Sequence, residues 1–314
     1  MTDKSELLEK AFDKRLHFFK GQEEVFRIFN GAGDGIDELV ADYYSGYVLI
    51  QNFGSGFFNH ESYAAILSGL CVKKSVPLHG VLFKDRGRVA QNEDPAEKRK
   101  SILVDGRMPG DDFTARHMGL DVSVDLISSQ NTGLFFDMRN SRNRLLDYYS
   151  GFESVLNLFS YTCVFSLHAL KNKVKRAVNV DISNPVLKRG MNNYVLNGIE
   201  PNSRDFIKGR SVDLIKYFRK KNMRFSLSII DPPTFARSQK GKFSAEKDFV
   251  LHLEMLAGIS DYVFSSVNTR RIGRDEFTSM HPSCYSLVFA DSEPEDFPHS
   301  GTPYLKTALW KIKG

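Results

Sequence analysis

Asp231-Pro232-Pro233 directly follows the β-rich run from Arg224 to Ile230, which closes on Ile229-Ile230. Two consecutive prolines fix the backbone, remove two donors and leave carbonyls free to accept from a ligand amine. Phe235, just beyond, offers a face for a planar base; the plainer alternative is a rigid loop that only ends the strand. A second carboxylate, Asp181, ends another hydrophobic strand. It stands about twenty residues beyond the small-residue turn Asn157-Leu-Phe-Ser-Tyr-Thr-Cys163, the spacing at which a carboxylate accepts hydrogen bonds from a nucleoside ribose. Taken alone, Asp181 reads rather as an Asp that ends a strand and helps cap the next helix. The three cysteines, Cys71, Cys163 and Cys284, lie far apart, and His60, His79, His168 and His252 show no ligand spacing, so neither a metal site nor a disulfide framework is expected.

These residues need elements to hold them, and beyond Gly151 strands alternate with helices. Ser154 to Phe159 leads into a helix ending at Leu170, Ala177 to Ile182 into Pro185 to Leu196, and Ser203 to Ile207 into Ser211 to Lys221, with Arg224 to Ile230 following. This is a parallel α/β pattern. Ligands of such open sheets sit beyond the carboxyl ends of the strands, where the turn after Asn157, Asp181, Asp231 and Ser265-Ser-Val-Asn268 all fall. Ser183 or Asn184 can cap the second helix, with Pro185 in its first turn. Upstream, Ser5 to Phe19 has the apolar spacing of one amphipathic helix. From Val25 to about Val124, short β-rich runs separated by glycine-bearing turns predict a small antiparallel α+β domain. Gln91 to Lys100 reads as an exposed loop. The expected organisation is an N-terminal helix over 1–24, a small α+β domain over 25–125 and an α/β domain over 126–314, which ends in an antiparallel pair, Tyr285 to Phe289 and Leu305 to Ile312.

With these motifs in order, the chain resembles the class I S-adenosylmethionine-dependent methyltransferases that modify bacterial large-subunit (23S) ribosomal RNA on cytosine C5 or guanine N7. The resemblance is carried by Asn131-Thr-Gly-Leu-Phe-Phe-Asp-Met-Arg139, Val155 to Thr162, Val180-Asp-Ile-Ser183, Asn192 to Gly198 and Ile230-Asp-Pro-Pro-Thr-Phe235. It spans about Val25 to the C-terminus. It implies a Rossmann-like methyltransferase domain with a seven-stranded mixed sheet, preceded by a small antiparallel α+β hairpin domain. Family members often carry a PUA-type RNA-binding module ahead of the hairpin domain, for which the run before Val25 is too short. The implied cofactor is S-adenosyl-L-methionine. Ser160, Tyr161 and Thr162 correspond to its methionine-side loop, Asp181 to the ribose ligand, and Asp231 with Pro232 to the meeting place of base and methyl donor. Asp137 and Arg139 lie in an element beside the cofactor, and Asn157 and Ile182 are placed with the same ligand.

Methylation at cytosine C5 needs a thiolate added at C6, and in the family that cysteine follows the fifth strand. Here the place reads Phe264-Ser-Ser-Val-Asn268, with the strand expected to end at Phe264. A nitrogen with its own lone pair, as in guanine N7, is therefore the expected target, with positioning in place of covalent catalysis. Asn268 can hydrogen-bond the base edge or simply occupy a strand-end turn. Three departures from the family stand near the pocket. Cys163 occupies a glycine position and threatens to crowd the cofactor, Arg210 replaces an Asp that holds the adenine amine, and the helix before the fifth strand looks short, from Phe249 to Gly258. They keep open a catalytically weakened methyltransferase fold that serves as an RNA- or protein-binding module, and methylation of a small molecule or protein is a third class.

Composition fits an enzyme of this kind. At 314 residues, 41% hydrophobic and 26% charged, with 25 Phe and 12 Tyr, the chain can bury enough apolar surface for packed cores, which excludes disordered and fibrous classes. The charged run from Met1 to Lys20 resembles no targeting peptide, so the cytoplasm is the expected address. Forty-three basic against 38 acidic side chains give +5, suited to an anionic partner without the bias of a histone-like binder. Arg237, Lys240 and Lys242 after the fourth strand, and Arg270, Arg271 and Arg274 after the fifth, are together placed to contact RNA phosphates, although each run alone reads more readily as a solvated face. The expected partner is RNA, ribosomal by the resemblance, with no membrane, no metal and a homodimer left open.

Overall fold

The computed structural model describes residues 3–21, 23–87, 100–233, 237–238, 241–242, 245–299 and 301–313, the side chains of 237–238, 241–242 and 245–246 excepted. Gln91 to Arg99, Phe235 and Lys240, and the side chains of Arg237 and Lys242, lie outside it. The chain divides into two compact units, Met1–Phe136 with Pro294–Gly301, and Asp137–Glu293 with Thr302–Gly314. This differs from the 1–24, 25–125 and 126–314 division in three ways. The boundary falls inside the Asn131 to Arg139 run, the N-terminal helical segment belongs to the same unit as the sheet that follows it, and eight residues between the strands Tyr285–Asp291 and Leu305–Ile312 return to that unit.

In the N-terminal unit the amphipathic segment forms two helices, α1 (Lys4–Lys14) and α2 (Leu16–Lys20), instead of one. The break is at Arg15, only 2% exposed, whose guanidinium donates to the Ala11 carbonyl at 3.0 Å and to both Asp34 carboxylate oxygens at 3.0 and 2.7 Å. A buried arginine needs that pairing, and the chain bends to supply it. Leu8 and Phe12 of α1 pack with Phe26, Phe29, Ile50, Leu67 and Val81 in the core, so the helix belongs to this unit and is not a separate element. Strands β1 (Val25–Asn30), β2 (Leu39–Tyr44), β3 (Tyr47–Asn52), β4 (Gly80–Asp85) and β5 (Ile102–Gly106) form one sheet in that order. The sheet is antiparallel as expected at the β1–β2, β2–β3 and β4–β5 pairs, and the β3–β4 pair is parallel. The cause is α3 (His60–Lys73), a crossover helix where a hairpin turn would have kept the direction alternating. A separate hairpin, β6 (Thr114–His117) and β7 (Leu120–Ser123), completes it. The returning segment is hydrogen-bonded in place, with Asp296 accepting from the Arg27 amide at 2.9 Å and the Pro298 carbonyl accepting from the Asn30 side chain at 2.8 Å. A Cβ on Gly33 would lie 1.9 Å from the Pro298 carbonyl oxygen, so only glycine fits there.

The second unit opens with α4 (Arg139–Tyr149) and builds a seven-stranded mixed sheet, as the resemblance implies. Its strands are β8 (Ser154–Leu158), β9 (Arg176–Asp181), β10 (Phe206–Lys208), β11 (Phe225–Ile230), β14 (Ser260–Asn268), β15 (Tyr285–Asp291) and β16 (Leu305–Ile312). The order is β10-β9-β8-β11-β14-β16-β15, parallel from β10 to β14 and antiparallel beyond. Helices α5 (Val164–Lys171), α6 (Asn184–Leu196), α7 (Ser211–Lys220), α8 (Ala245–Leu256) and α9 (Arg274–Ser279) connect the strands, with a two-residue pair, β12 (Arg237–Ser238) and β13 (Gly241–Lys242), between β11 and α8. Three local expectations change. Ser203 to Asp205 make a 3-10 turn before a shorter β10, because the Asn202 side chain accepts from the Arg204 amide. Ser183 occupies the cap position of α6 without a side-chain cap bond. The helix before β14 starts at Ala245 and runs 12 residues, so it is not short.

Candidate active site

The chain runs from β8 outward to β9 and β10, then returns past β8 to β11 and β14. The order reverses between β8 and β11, and in open α/β sheets the ligand crevice lies at this switch, beyond the carboxyl ends of the strands. Leu158 pairs with Ile230 across it, so the loop after β8 and Asp231 leave the sheet side by side.

That loop turns sharply. Phe159, Tyr161 and Cys163 all adopt left-handed backbone conformations, with φ of 56°, 47° and 64°. Such conformations cost non-glycine residues energy and persist only where the surroundings enforce them. Four bonds do so here. The Ser160 amide donates to the Val180 carbonyl at 3.0 Å, the Cys163 amide to the Ser160 carbonyl at 2.8 Å, the Asn193 side chain to the Thr162 carbonyl at 3.0 Å, and the Tyr161 amide to Asp181 at 3.1 Å. Asp181 also accepts from the Ser183 amide at 2.9 Å, so its carboxylate is oriented by two backbone donors and keeps lone pairs for further ones. Beside it, Ile182 is 67% exposed, an apolar side chain left open at a strand end. The loop after β10 joins this group, since the Gly209 amide donates to the Asp181 carbonyl. Arg210 opens α7 with its side chain exposed, and behind it Ser211 Oγ meets His252 Nε2 at 2.6 Å.

Across the switch, Asp231 is half-buried and accepts from Ser266 Oγ in a very short hydrogen bond. Burial pushes its carboxyl up to about 6; the Ser266 hydroxyl pulls the value back, the neighbouring Asp137 adds to it, and the Arg142 guanidinium opposes. Asp137 is buried and accepts from the Tyr304 hydroxyl at 2.8 Å. Arg142, also buried, lies over the Phe165 ring at 4.7 Å.

The structure thus brings Tyr161, Ser160, Thr162, Asp181, Ile182, Asp137, Asp231 and Pro232 to one edge of the sheet. Asn157 is turned elsewhere: it is buried, and its side chain donates to Ser166 Oγ at 3.0 Å, so the strand's alternation commits it to the core. Thr162 contributes its carbonyl as an anchor, and its own side chain is buried. Arg139 begins α4, half-buried. Strand β14 continues to Asn268 where the sequence suggested an end at Phe264, because β16 pairs with it along that whole length. Ser265 and Ser266 therefore lie inside the strand on opposite faces, Ser265 toward His281 and Trp310 and Ser266 toward Asp231. Arg270, Arg271 and Arg274 follow, all exposed. Sequence reasoning missed Ser266, Arg142 and Asn193. Only the strand alternation around Ser266 carried a usable signal, and it required the true strand end.

An S-adenosylmethionine-dependent methyltransferase family model matches residues 27–307, and the chain belongs to that family. It is 30% identical to YwbD of Bacillus subtilis (strain 168), which bears the name of a ribosomal RNA large subunit methyltransferase, over 98% of this chain and 79% of that one. It is 29% identical to ribosomal RNA large subunit methyltransferase I of Aeromonas salmonicida (strain A449), over 68% of this chain but only 52% of that protein. Among solved structures, a methyltransferase designated SMU.776, crystallised with SAH, superposes with a TM-score of 0.83 at 23% identity, covering 99% of this chain and 83% of that one. The protein is an S-adenosylmethionine-dependent methyltransferase.

The residues fit this cofactor. An oriented carboxylate at Asp181, an exposed apolar Ile182 next to it and the left-handed turn at 159–163 offer ribose acceptors, a face for the adenine and a loop for the methionine end. Among the described residues, no helix is long and apolar enough to cross a membrane, and no group of three or more His, Cys, Asp or Glu is placed to hold a metal ion.

Proposed function

We propose that the enzyme methylates a nucleobase of RNA, large-subunit ribosomal RNA by analogy with its named relatives, at a ring nitrogen of the guanine N7 type. The observation that carries the nitrogen reading is Ser266. On the strand expected to present a thiolate for C5 chemistry, the side chain aimed at Asp231 is a hydroxyl, already donating to that carboxylate. The second unit has two cysteines: Cys163 is buried in the loop, and Cys284 precedes the edge strand β15, two strands from β14. Neither is placed to add to a pyrimidine ring beside Asp231. Exposed Arg270, Arg271 and Arg274 after β14 support an anionic polymer as substrate.

When bound, S-adenosylmethionine supplies an electrophilic methyl group. Asp181 and the 159–163 turn hold it, and the backbone ahead of Pro232 offers carbonyls to the base. In its ionised form Asp231 accepts from base N–H groups, of which guanine presents N1–H and the N2 amine. Guanine N7 attacks the methyl carbon with its own lone pair as the S–CH3 bond breaks; the demethylated cofactor leaves as a neutral thioether and the base takes over the positive charge without losing a proton, so the site needs an anion and no general base. Asp231 supplies it, already oriented by Ser266. The test is to incubate the protein with deproteinised ribosomal RNA and methyl-labelled cofactor and to digest the RNA to nucleosides. Label is expected in 7-methylguanosine; label in 5-methylcytidine would overturn the nitrogen assignment.

Ser266→Ala tests the anion directly. Its hydroxyl holds the Asp231 carboxyl lower than burial alone would set it, so its removal raises that value further. The acidic limb of the rate profile, near pH 6 in the parent, is expected to move up by about one unit, with rates converging above pH 8. An unmoved limb would show that Asp231 does not act as the carboxylate.

A further inference from the structure

Cys163 fills a notch. It is fully buried at the start of α5, and its side chain points toward α6, where Gly190 stands opposite. A Cβ built on Gly190 would lie 2.4 Å from the Cys163 sulfur, closer than packed atoms approach, and a tight 3.1 Å from its Cβ. The thiol therefore occupies the volume that any side chain at 190 would need, away from the strand-end crevice it was expected to crowd. One turn further along α6, the fully buried Asn193 donates to the Thr162 carbonyl at 3.0 Å. The helix grips the turn at two consecutive backbone positions, by shape at 163 and by a hydrogen bond at 162.

We propose that Cys163 and Gly190 are a size-matched positioning pair for S-adenosylmethionine, in which the thiol seated against α6 holds the left-handed turn that meets the cofactor. The turn needs such a hold because it carries three strained non-glycine residues within five positions. The Tyr161 amide that orients Asp181 sits midway between the first and last of them, so a displacement at 163 reaches the ribose acceptor through two peptide units. What matters is the summed volume at 163 and 190, since both positions are buried in a packed interior. The inference rests on cofactor binding alone and is independent of the RNA substrate.

The test uses S-adenosylhomocysteine as probe, titrated calorimetrically into the parent chain, Gly190→Ala, Cys163→Gly and the double variant, at a temperature where thermal melts show each fully folded. Gly190→Ala forces the thiol out of its seat, and its affinity is expected to fall at least about tenfold, the size of an overpacking penalty read at the loop. Cys163→Gly in that background frees the space for the new methyl group, and affinity is expected to return to within about threefold of the parent. Cys163→Gly alone relaxes a strained φ but leaves a void, opposing effects of similar size, so its melting temperature stays close to the parent's. A purely structural pair would change melting temperatures and leave affinity in the folded proteins untouched; that outcome overturns the proposal, as does a double variant that binds no better than Gly190→Ala. Should Gly190→Ala fail to fold, Cys163→Gly alone is compared with the double variant: the void leaves the turn unheld, so the single variant is expected to bind at least about threefold more weakly than the double, and equal affinities overturn the proposal.

Discussion

Asp231→Asn is expected to slow methyl transfer by about a hundredfold, the scale on which removal of one preorganised charge acts, while making the protein more stable at neutral pH. The substitution keeps an oxygen to accept from Ser266 and removes only the negative charge. The stability gain follows from linkage. The Asp231 carboxyl sits at about 6 in the folded protein against an ordinary 3.8, so what it contributes to stability is present in full below the unfolded value and is lost as pH rises through about 6. At pH 7.5 the parent therefore carries the cost of a half-buried carboxylate that the variant lacks. Discounted for its partial exposure, that cost is about 1–2 kcal/mol, or a rise of a few degrees in melting temperature. The difference should shrink as the pH is lowered from 6 toward 4. Melts at pH 7.5 and pH 4 beside single-turnover rates check both halves. A variant less stable than the parent at pH 7.5 would mean that the charge holds the fold together, and the catalytic assignment would fail with it.

Asp181→Ala is expected to weaken S-adenosylmethionine and S-adenosylhomocysteine by about 10²- to 10³-fold. Two things are lost together. The carboxylate's remaining lone pairs are the ribose acceptors, and charge-assisted bonds of this kind are worth about 1.5–3 kcal/mol each. The same carboxylate accepts from the Tyr161 and Ser183 amides and so ties the left-handed turn to the start of α6. Calorimetric titration of either ligand decides the matter; an affinity within about threefold of the parent would show that the ribose is held elsewhere. Stability should change less than affinity, because neither anchored amide lies in a regular element's core.

The strand-end carboxylates were legible because their signals are local. Asp181 and Asp231 each close an apolar run, and Pro232-Pro233 marks the turn. The β8, β9 and β11 runs were equally plain, as largely apolar stretches interrupted only by Asn or Ser, in a sheet covered on both faces. What failed was decided by distant partners. The end of β14 is set by β16, which lies more than thirty residues later in sequence, and so Ser266 was placed after the strand instead of within it. The parallel β3–β4 pair depends on which side α3 returns, and the break at Arg15 on a carboxylate at Asp34. Cys163 shows the same limit most clearly. On the line of the sequence it is a bulky residue where the family has glycine; in space the missing bulk is at Gly190, on another helix.

The segment Pro294–Gly301 bears on how this chain can be made and cut. Asp296 and Pro298 complete the hydrogen bonding of Arg27 and Asn30, so the N-terminal unit lacks part of its structure until residues 294–301 have been synthesised, after the whole of 137–293. During translation the first unit therefore cannot be completed before the second has emerged, whatever order its folding takes. A fragment ending at Phe136 would leave Arg27 and Asn30 without those partners, and the two units are better dissected by point substitution than by truncation.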